Sequence, residues 1–239
     1  MFCTFMASRQ FGILAGMIIT IDGPAGAGKS TVARSLARRL GFMFLDTGAM
    51  YRAVTLSALR HKLSWDDAEG LVALAARIRI YLDDDSVWLD GEDVSDAVRT
   101  TQITTLVKHA ANNPGVRQKL VAQQRAIVGD KNVVTEGRDQ GTVVFPHADL
   151  KIFLTAGPEE RARRRLRDLQ ARGEQITLEE VLAKQNARDA SDAERDVGPL
   201  AAAADAVHIV SDGRTLEQVI DQIEGLARAR GERTGVRMS

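Results

Sequence analysis

A chain of 239 residues with 44% hydrophobic content can bury one substantial core, enough for one domain or for one domain carrying an insertion. Lysine plus arginine equals aspartate plus glutamate at 32 each, so no global field draws the protein to nucleic acid or to an anionic membrane. The single cysteine, Cys3, excludes an internal disulfide framework and a cysteine-rich zinc site, in keeping with a reducing cytoplasm.

Residues 1–16 lack a cationic start followed by an unbroken apolar stretch, because Arg9 and Gln10 interrupt it. They are expected to form a disordered extension with no catalytic part rather than a signal peptide. The longest apolar run, Phe11–Ile21, is about half of the roughly 20 residues that a membrane helix needs, so a soluble, cytoplasmic protein is expected. Short β-branched runs then alternate with segments of helical period, the pattern of a parallel sheet covered by helices on both faces. Strands are predicted at Ile18–Asp22, Met43–Asp46, Asn132–Thr135, Lys151–Thr155 and Val207–Val210. Helix starts are marked by Gly157-Pro158-Glu159, by the capping box Thr177 with Glu180, and by Thr215 with Gln218. Two strand-like pieces, Ile80–Leu82 and Val87–Leu89, joined by Asp83-Asp84-Asp85-Ser86, break the alternation and read as a hairpin. Residues 67–129 are therefore expected to be an insertion holding this hairpin and helices such as Pro114–Val128.

The segment Gly23-Pro24-Ala25-Gly26-Ala27-Gly28-Lys29-Ser30 fits G-x-x-x-x-G-K-S/T, follows a predicted strand and opens a helix running through Leu36 and Leu40. Glycines in such a loop let backbone N–H groups converge on phosphate oxygens, and the helix N-terminus adds its positive end. Lys29 is expected to reach the β and γ phosphates and Ser30 to hold Mg²⁺, with Gly23, Ala25, Gly26, Ala27, Gly28 and Thr31 completing an ATP site. The loop alone does not separate a kinase from a GTPase or a motor.

Two further segments follow predicted strands: Asp46-Thr47-Gly48-Ala49-Met50-Tyr51-Arg52, and Glu136-Gly137-Arg138-Asp139. In an open parallel sheet ligands bind beyond the carboxyl ends of the strands, so both segments can face the P-loop. The plain alternative is that Asp46 and Glu136 cap helices while the arginines are solvated. Arg188, Asp192 and Arg195 fall at i, i+4 and i+7 and would share one face of a helix, a spacing that equally suits a surface ion-pair ladder. Arg161, Arg164 and Arg165 also share a helix face, where Glu159 and Glu160 could balance them.

The ordered series of these segments resembles the cytidylate kinases, nucleoside monophosphate kinases of bacteria. It comprises I-T-I-D-G-P-x-G-A-G-K at Ile19–Lys29, L-D-T-G-A-M-Y-R at Leu45–Arg52, and G-E-D-V-S at Gly91–Ser95 with Arg99-Thr100. It continues with E-G-R-D-x-G-T-V-V-F-P at Glu136–Pro146, K-I-F-L at Lys151–Leu154, E-E-R-A-x-R-R at Glu159–Arg165, and R-D-x-x-D at Arg188–Asp192. The resemblance implies a three-layer α/β/α P-loop fold with a central parallel five-stranded sheet, an inserted monophosphate-binding subdomain and a mobile lid. It divides the chain into a core at 17–66, 130–160 and 196–239, an insertion at 67–129 and a lid at 161–195.

The resemblance also implies that Arg52, Arg138 and Arg195 grip an acceptor monophosphate, that Arg188 and Asp192 hold the ribose hydroxyls, and that Arg117 and Asp139 read cytosine. Asp46, Tyr51 and Lys108 would be further acceptor contacts, and Arg161 and Arg165 would be lid cations on ATP. Lys29, Arg138 and Arg195 are the expected catalytic cations, with ATP and CMP or dCMP as substrates and the chain acting as a monomer. The base assignment makes chemical sense, since cytosine offers an amino donor beside a ring acceptor and uracil reverses the pair. Two positions depart from the family pattern, Ala25 and Lys108, where serine is usual. Lys108 cannot accept a hydrogen bond, which bears on the choice between CMP and UMP.

A phosphate acceptor is largely ionised near neutrality, so positioning and charge neutralisation carry such a reaction rather than a strong base. Two rival readings are a P-loop kinase for a hydroxyl acceptor, which would need a base, and a nucleotide-hydrolysing switch. No N-K-x-D guanine signature accompanies the loop, and with 5% aromatic residues no stacking platform for RNA is evident.

Overall fold

The computed structural model describes residues 16–83, 85–171 and 173–234. Except for residue 16, the expected N-terminal extension lies outside them. The first strand, β1 (Ile18–Asp22), leads through the P-loop into α1 (Lys29–Leu40), β2 (Met43–Asp46) and α2 (Thr47–Arg60). A run of smaller elements follows: α3 (Ala68–Arg77), β3 (Ile80–Leu82), β4 (Val87–Leu89), β5 (Glu92–Asp93), α4 (Thr101–Ala111) and α5 (Pro114–Val128). The chain then returns as β6 (Val133–Gly137), β7 (Leu150–Thr155), α6 (Pro158–Ala171), α7 (Leu178–Ala193), β8 (Val207–Val210) and α8 (Leu216–Thr234).

Five strands form one parallel sheet in the order β2-β6-β1-β7-β8, so β1 is central and the P-loop leaves from the middle of the carboxyl edge. Strands buried on both faces read as nearly continuous apolar runs, as Ile18–Ile21 and Ile152–Leu154 do. On one face Ile19, Ile21, Val134 and Ile152 pack with Leu36 and Leu40 of α1 and with Val219 and Ile223 of α8. Leu45 and Val133 point to the other face, against Val128, Val144 and Phe145. β3, β4 and β5 make a separate antiparallel sheet whose Val87 and Leu89 close a second core with Met50, Val54, Ile103 and Leu120. A third, small apolar cluster, Ala162, Leu169 and Val181, joins α6 to α7.

β6 runs two residues past its expected end, because Glu136 and Gly137 still pair with Ile21 and Asp22. The capping box at Thr177 and Glu180 forms in both directions, and Thr215 and Gln218 make the same reciprocal pair at α8. α7 stops at Ala193, so Arg195 lies beyond the helix that carries Arg188 and Asp192 and does not share its face.

Asp22 ends β1 fully inside the protein, and its two carboxylate oxygens accept from Gln140 N at 2.8 Å and Gly141 N at 2.7 Å. It thereby folds the residues after β6, Gln140–Val144, into a wide turn of π type. Burial pushes the Asp22 carboxyl up to about 6, against the two N–H bonds that favour its charge. A folded value above the unfolded 3.8 means that Asp22 contributes stability at low pH that is lost as the pH rises through about 6. Unfolding free energies of wild type and Asp22→Asn measured in urea should therefore diverge with pH. The wild type should lose about 2 kcal/mol relative to the variant between pH 4 and pH 6.5. A difference independent of pH would contradict the placement of this carboxylate.

Candidate active site

The carboxyl ends of β1, β2 and β6 lie side by side, so the segments leaving them converge. Gly23 leaves β1 with φ of 149°, and a Cβ there would sit 1.9 Å from the Leu154 carbonyl oxygen, so only glycine fits. Ala25, Gly26, Ala27 and Gly28 carry the loop to α1, whose N-terminus has neither a side-chain cap nor an acidic residue in its first turn. Its leading N–H groups are thus left to an anion. Lys29 is buried, with Nζ donating to the Pro24 carbonyl at 2.9 Å. Ser30 donates to Glu136 Oε1 at 2.8 Å, and Thr31 is exposed on the first helical turn.

Asp46 and Glu136 are direct partners in the register of β2 and β6. Asp46 caps α2 by accepting from Ala49 N at 2.8 Å and also takes Arg52 Nη2 at 3.0 Å, so the capping role and the arginine role coexist. Glu136 caps nothing; it faces Ser30 from within β6. Burial, then the neighbouring Asp46, pushes the Glu136 carboxyl up. Burial, then Arg138, pulls the Lys29 ammonium down. A hydroxyl beside two carboxylates is a hard oxygen set that suits Mg²⁺. Among the described residues no group of three or more His, Cys, Asp or Glu could hold a metal alone, so a cation here would also need water and phosphate oxygens.

Beside the Asp46–Arg52 pair, most of the other expected acceptor residues fall into two clusters. In the first, Arg117 of α5 donates through Nη2 to Asp139, both almost fully buried, and through Nη1 to the Ala111 carbonyl at 3.1 Å. The Arg117 guanidinium lies over the Tyr51 ring at 5.4 Å, and burial pushes the Tyr51 hydroxyl up to about 12. In the second, Asp192 accepts from Arg138 Nε at 2.8 Å with one oxygen and from Arg195 Nη2 with the other. Burial works against both Asp192 and Arg138, yet their mutual attraction wins and keeps each charged. Arg188 has no hydrogen-bond partner among the described residues, and burial beside Arg138 pulls it down to about 10. Arg52 and Arg117 each leave a buried Nε without a partner, donors that call for a ligand or water.

Lys108 is not brought to either cluster: it is exposed on α4, and its ammonium makes no hydrogen bond or ion pair among the described residues. The arginines of α6 also divide. Arg161 is buried and donates to Ala156 O at 3.0 Å, Ala25 O at 2.9 Å and Asp189 Oδ2 at 2.5 Å, so it grips the P-loop backbone from outside. Arg164 donates to Glu160 and Ser211 and lies nearest Gly28, whose missing Cβ would be 4.0 Å from its Nη1. Arg165 is half-buried and close enough to Arg188 to disfavour its charge.

Several residues escaped the sequence reading. Asp22 shapes the turn that presents Asp139, Asp189 holds Arg161 and the Ala25 N–H, and Gly198 covers the base-side pair. With φ of 65°, Gly198 comes so close that a Cβ would lie 2.2 Å from Asp139 Oδ2 and 2.3 Å from Arg117 Nη2. Asp189 could have been found from its place beside Arg188; nothing in the sequence marks Gly198.

The family model for cytidylate kinase matches residues 19–229. A cytidylate kinase of Rhodopirellula baltica is 51% identical over 89% of this chain and 93% of its own. That of Caldanaerobacter subterraneus is 49% identical over 86% of this chain and 92% of its own. A bifunctional pantoate ligase/cytidylate kinase of a Synechococcus strain is 48% identical over 91% of this chain but 42% of its own length. A glycine-rich loop between β1 and α1, two arginine–carboxylate clusters at the carboxyl edge of one parallel sheet, and these matches over most of the chain agree: it belongs to the cytidylate kinase family.

Proposed function

We propose that this protein transfers the γ-phosphoryl group of ATP to CMP, and to dCMP, giving the diphosphates. The observation that carries the reading is the set of neighbouring cations made by buried Lys29 and half-buried Arg138 and Arg188, in which Arg138 depresses the other two, beside Asp192, whose two oxygens are taken by Arg138 and Arg195. Such a set is stable when polyanions enter it, and two nucleotides meeting head to head supply them.

In this reading the P-loop amides and Lys29 take the β and γ phosphates, and Ser30 with Glu136 and Asp46 orients Mg²⁺ and its water. Bound there, Mg²⁺ would neutralise charge on the β and γ oxygens. Arg52, Arg138 and Arg195 hold the acceptor phosphate, whose oxygen is already ionised, so no side chain has to remove a proton. Arg188 and Asp192 hold the ribose. Arg161 acts on ATP through the loop it braces, while Arg164 and Arg165 flank the donor side. α6 and α7 close over the donor and keep water from the γ-phosphate. No helix among the described residues is long and apolar enough to cross a membrane. A monomer working in the cytoplasm is the simplest form of this enzyme.

The Arg117–Asp139 pair sets the base. The Asp139 carboxylate accepts from the cytosine amino group, whereas uracil would aim a carbonyl at it and leave a buried acceptor unpaired. Lys108, exposed on α4 and bonded to neither cluster, brings no hydrogen-bond acceptor to the base.

Two kinetic predictions test the assignments by coupled ADP release with ATP and Mg²⁺. Arg138→Ala should raise the acceptor KM and lower kcat, cutting kcat/KM on the order of a hundredfold, and full retention of both constants would refute its role. The wild type should turn over CMP and dCMP far faster than UMP or AMP. Asp139→Asn should narrow the CMP-over-UMP ratio by at least about tenfold, because an amide can present a donor to the uracil carbonyl. An unchanged ratio would remove Asp139 from base recognition.

A further inference from the structure

The last turn of α4 touches both acceptor clusters through adjacent residues. The Ala111 carbonyl accepts from Arg117 at 3.1 Å, and Asn112, which closes the helix, reaches across to the segment at the end of α7. Asn112 Oδ1 accepts from Arg195 Nε at 2.7 Å, and Asn112 Nδ2 donates to Ser191 Oγ at 3.3 Å. The first residue of α4, Thr101, also donates to Glu174 in the α6–α7 connection, so α4 lies along that helical hairpin at both ends.

Arg195 needs such a partner. It sits beyond the end of α7, and no helical backbone fixes its side chain. Asp192 binds its Nη2, but the other Asp192 oxygen belongs to Arg138, so one contact leaves the guanidinium free to turn about that bond. A second contact at Nε, on a different edge of the group, sets the plane and therefore the direction in which the remaining N–H donors point. An amide oxygen does this without cancelling the positive charge, which a carboxylate in its place would do. Exposed amides usually contribute little, but this one bonds two residues across 79 and 83 positions of sequence.

We infer that Asn112 is a positioning residue for the acceptor phosphate: it aims Arg195 and ties that aim to the helix whose end also holds the base-side arginine. The inference rests on the proposed assignment of Arg195 to the acceptor phosphate. It is independent of the serine departure at Lys108, one turn earlier on the same helix.

The test is a double-mutant cycle on the full chain with Asn112→Ala, Arg195→Ala and the pair, reading KM for CMP, KM for ATP and the thermal unfolding midpoint. Asn112→Ala should raise the CMP KM about tenfold, leave the ATP KM within about twofold and leave the midpoint unchanged. In the Arg195→Ala background the same substitution should raise the CMP KM no further, since there is nothing left to aim. A CMP KM unaffected by Asn112→Ala would overturn the inference, as would equal rises in both KM values with a lowered midpoint. So would full additivity with Arg195→Ala. If Arg195→Ala itself leaves the CMP KM unchanged, the assignment of Arg195 fails and the role of Asn112 falls with it. If Arg195→Ala raises that KM and Asn112→Ala does not, only the role of Asn112 is lost.

Discussion

Asp192 is the anion on which the acceptor side of the site depends. Its carboxylate is almost fully buried and divides its two oxygens between Arg138 and Arg195, with Arg188 held nearby by charge alone. Burying an ion costs several kcal/mol unless partners compensate, and removing one partner of such a group is commonly worth about 3–5 kcal/mol. Without Asp192, three half-buried guanidinium groups would face one another with no anion between them. With it they stay charged, close and directed, a standing arrangement into which a phosphate and a ribose can enter with little reorganisation.

The same logic runs through the donor side at lower charge density. Lys29 and Glu136 are each buried in the environment that least favours their charge, and each is moderated by the other. A triphosphate would relieve Lys29, and a divalent cation would relieve Glu136 and Asp46, so the charges of both substrates complement those the site presents. The parallel sheet makes this convergence possible, since Asp46 and Glu136 stand at the ends of adjacent strands and the loop leaving the next strand, β1, carries Lys29. Arg161 and Asp189 then brace the P-loop from the α6–α7 hairpin, which links the shape of the loop to the position of those helices.

Much of this was legible in the sequence because the signals were local. Three of the five core strands fall where their apolar runs end, and the Thr177 capping box and the hairpin each rest on contacts a few residues apart. What the sequence concealed depended on partners far away. Glu136 and Gly137 look like a loop by composition, yet pairing with β1 on one side and β2 on the other keeps Glu136 in the sheet. Thr142, Val143 and Val144 have strand-forming side chains but wind into a turn, since Asp22 holds the N–H groups that precede them. Spacing alone grouped Arg161 with its neighbours on α6, although burial sends it to the P-loop backbone while Arg164 faces Ser211. The short strand β5 carries two acidic residues and no pattern by which to find it.

The most direct test is a crystal structure of the full chain with CMP and a non-hydrolysable ATP analogue bound. The CMP phosphate should lie among Arg52, Arg138 and Arg195, the cytosine edge against Arg117 and Asp139, and the triphosphate along the P-loop with Lys29 between its β and γ groups. A CMP phosphate seated away from all three arginines, or a base that does not meet Asp139, would contradict this arrangement.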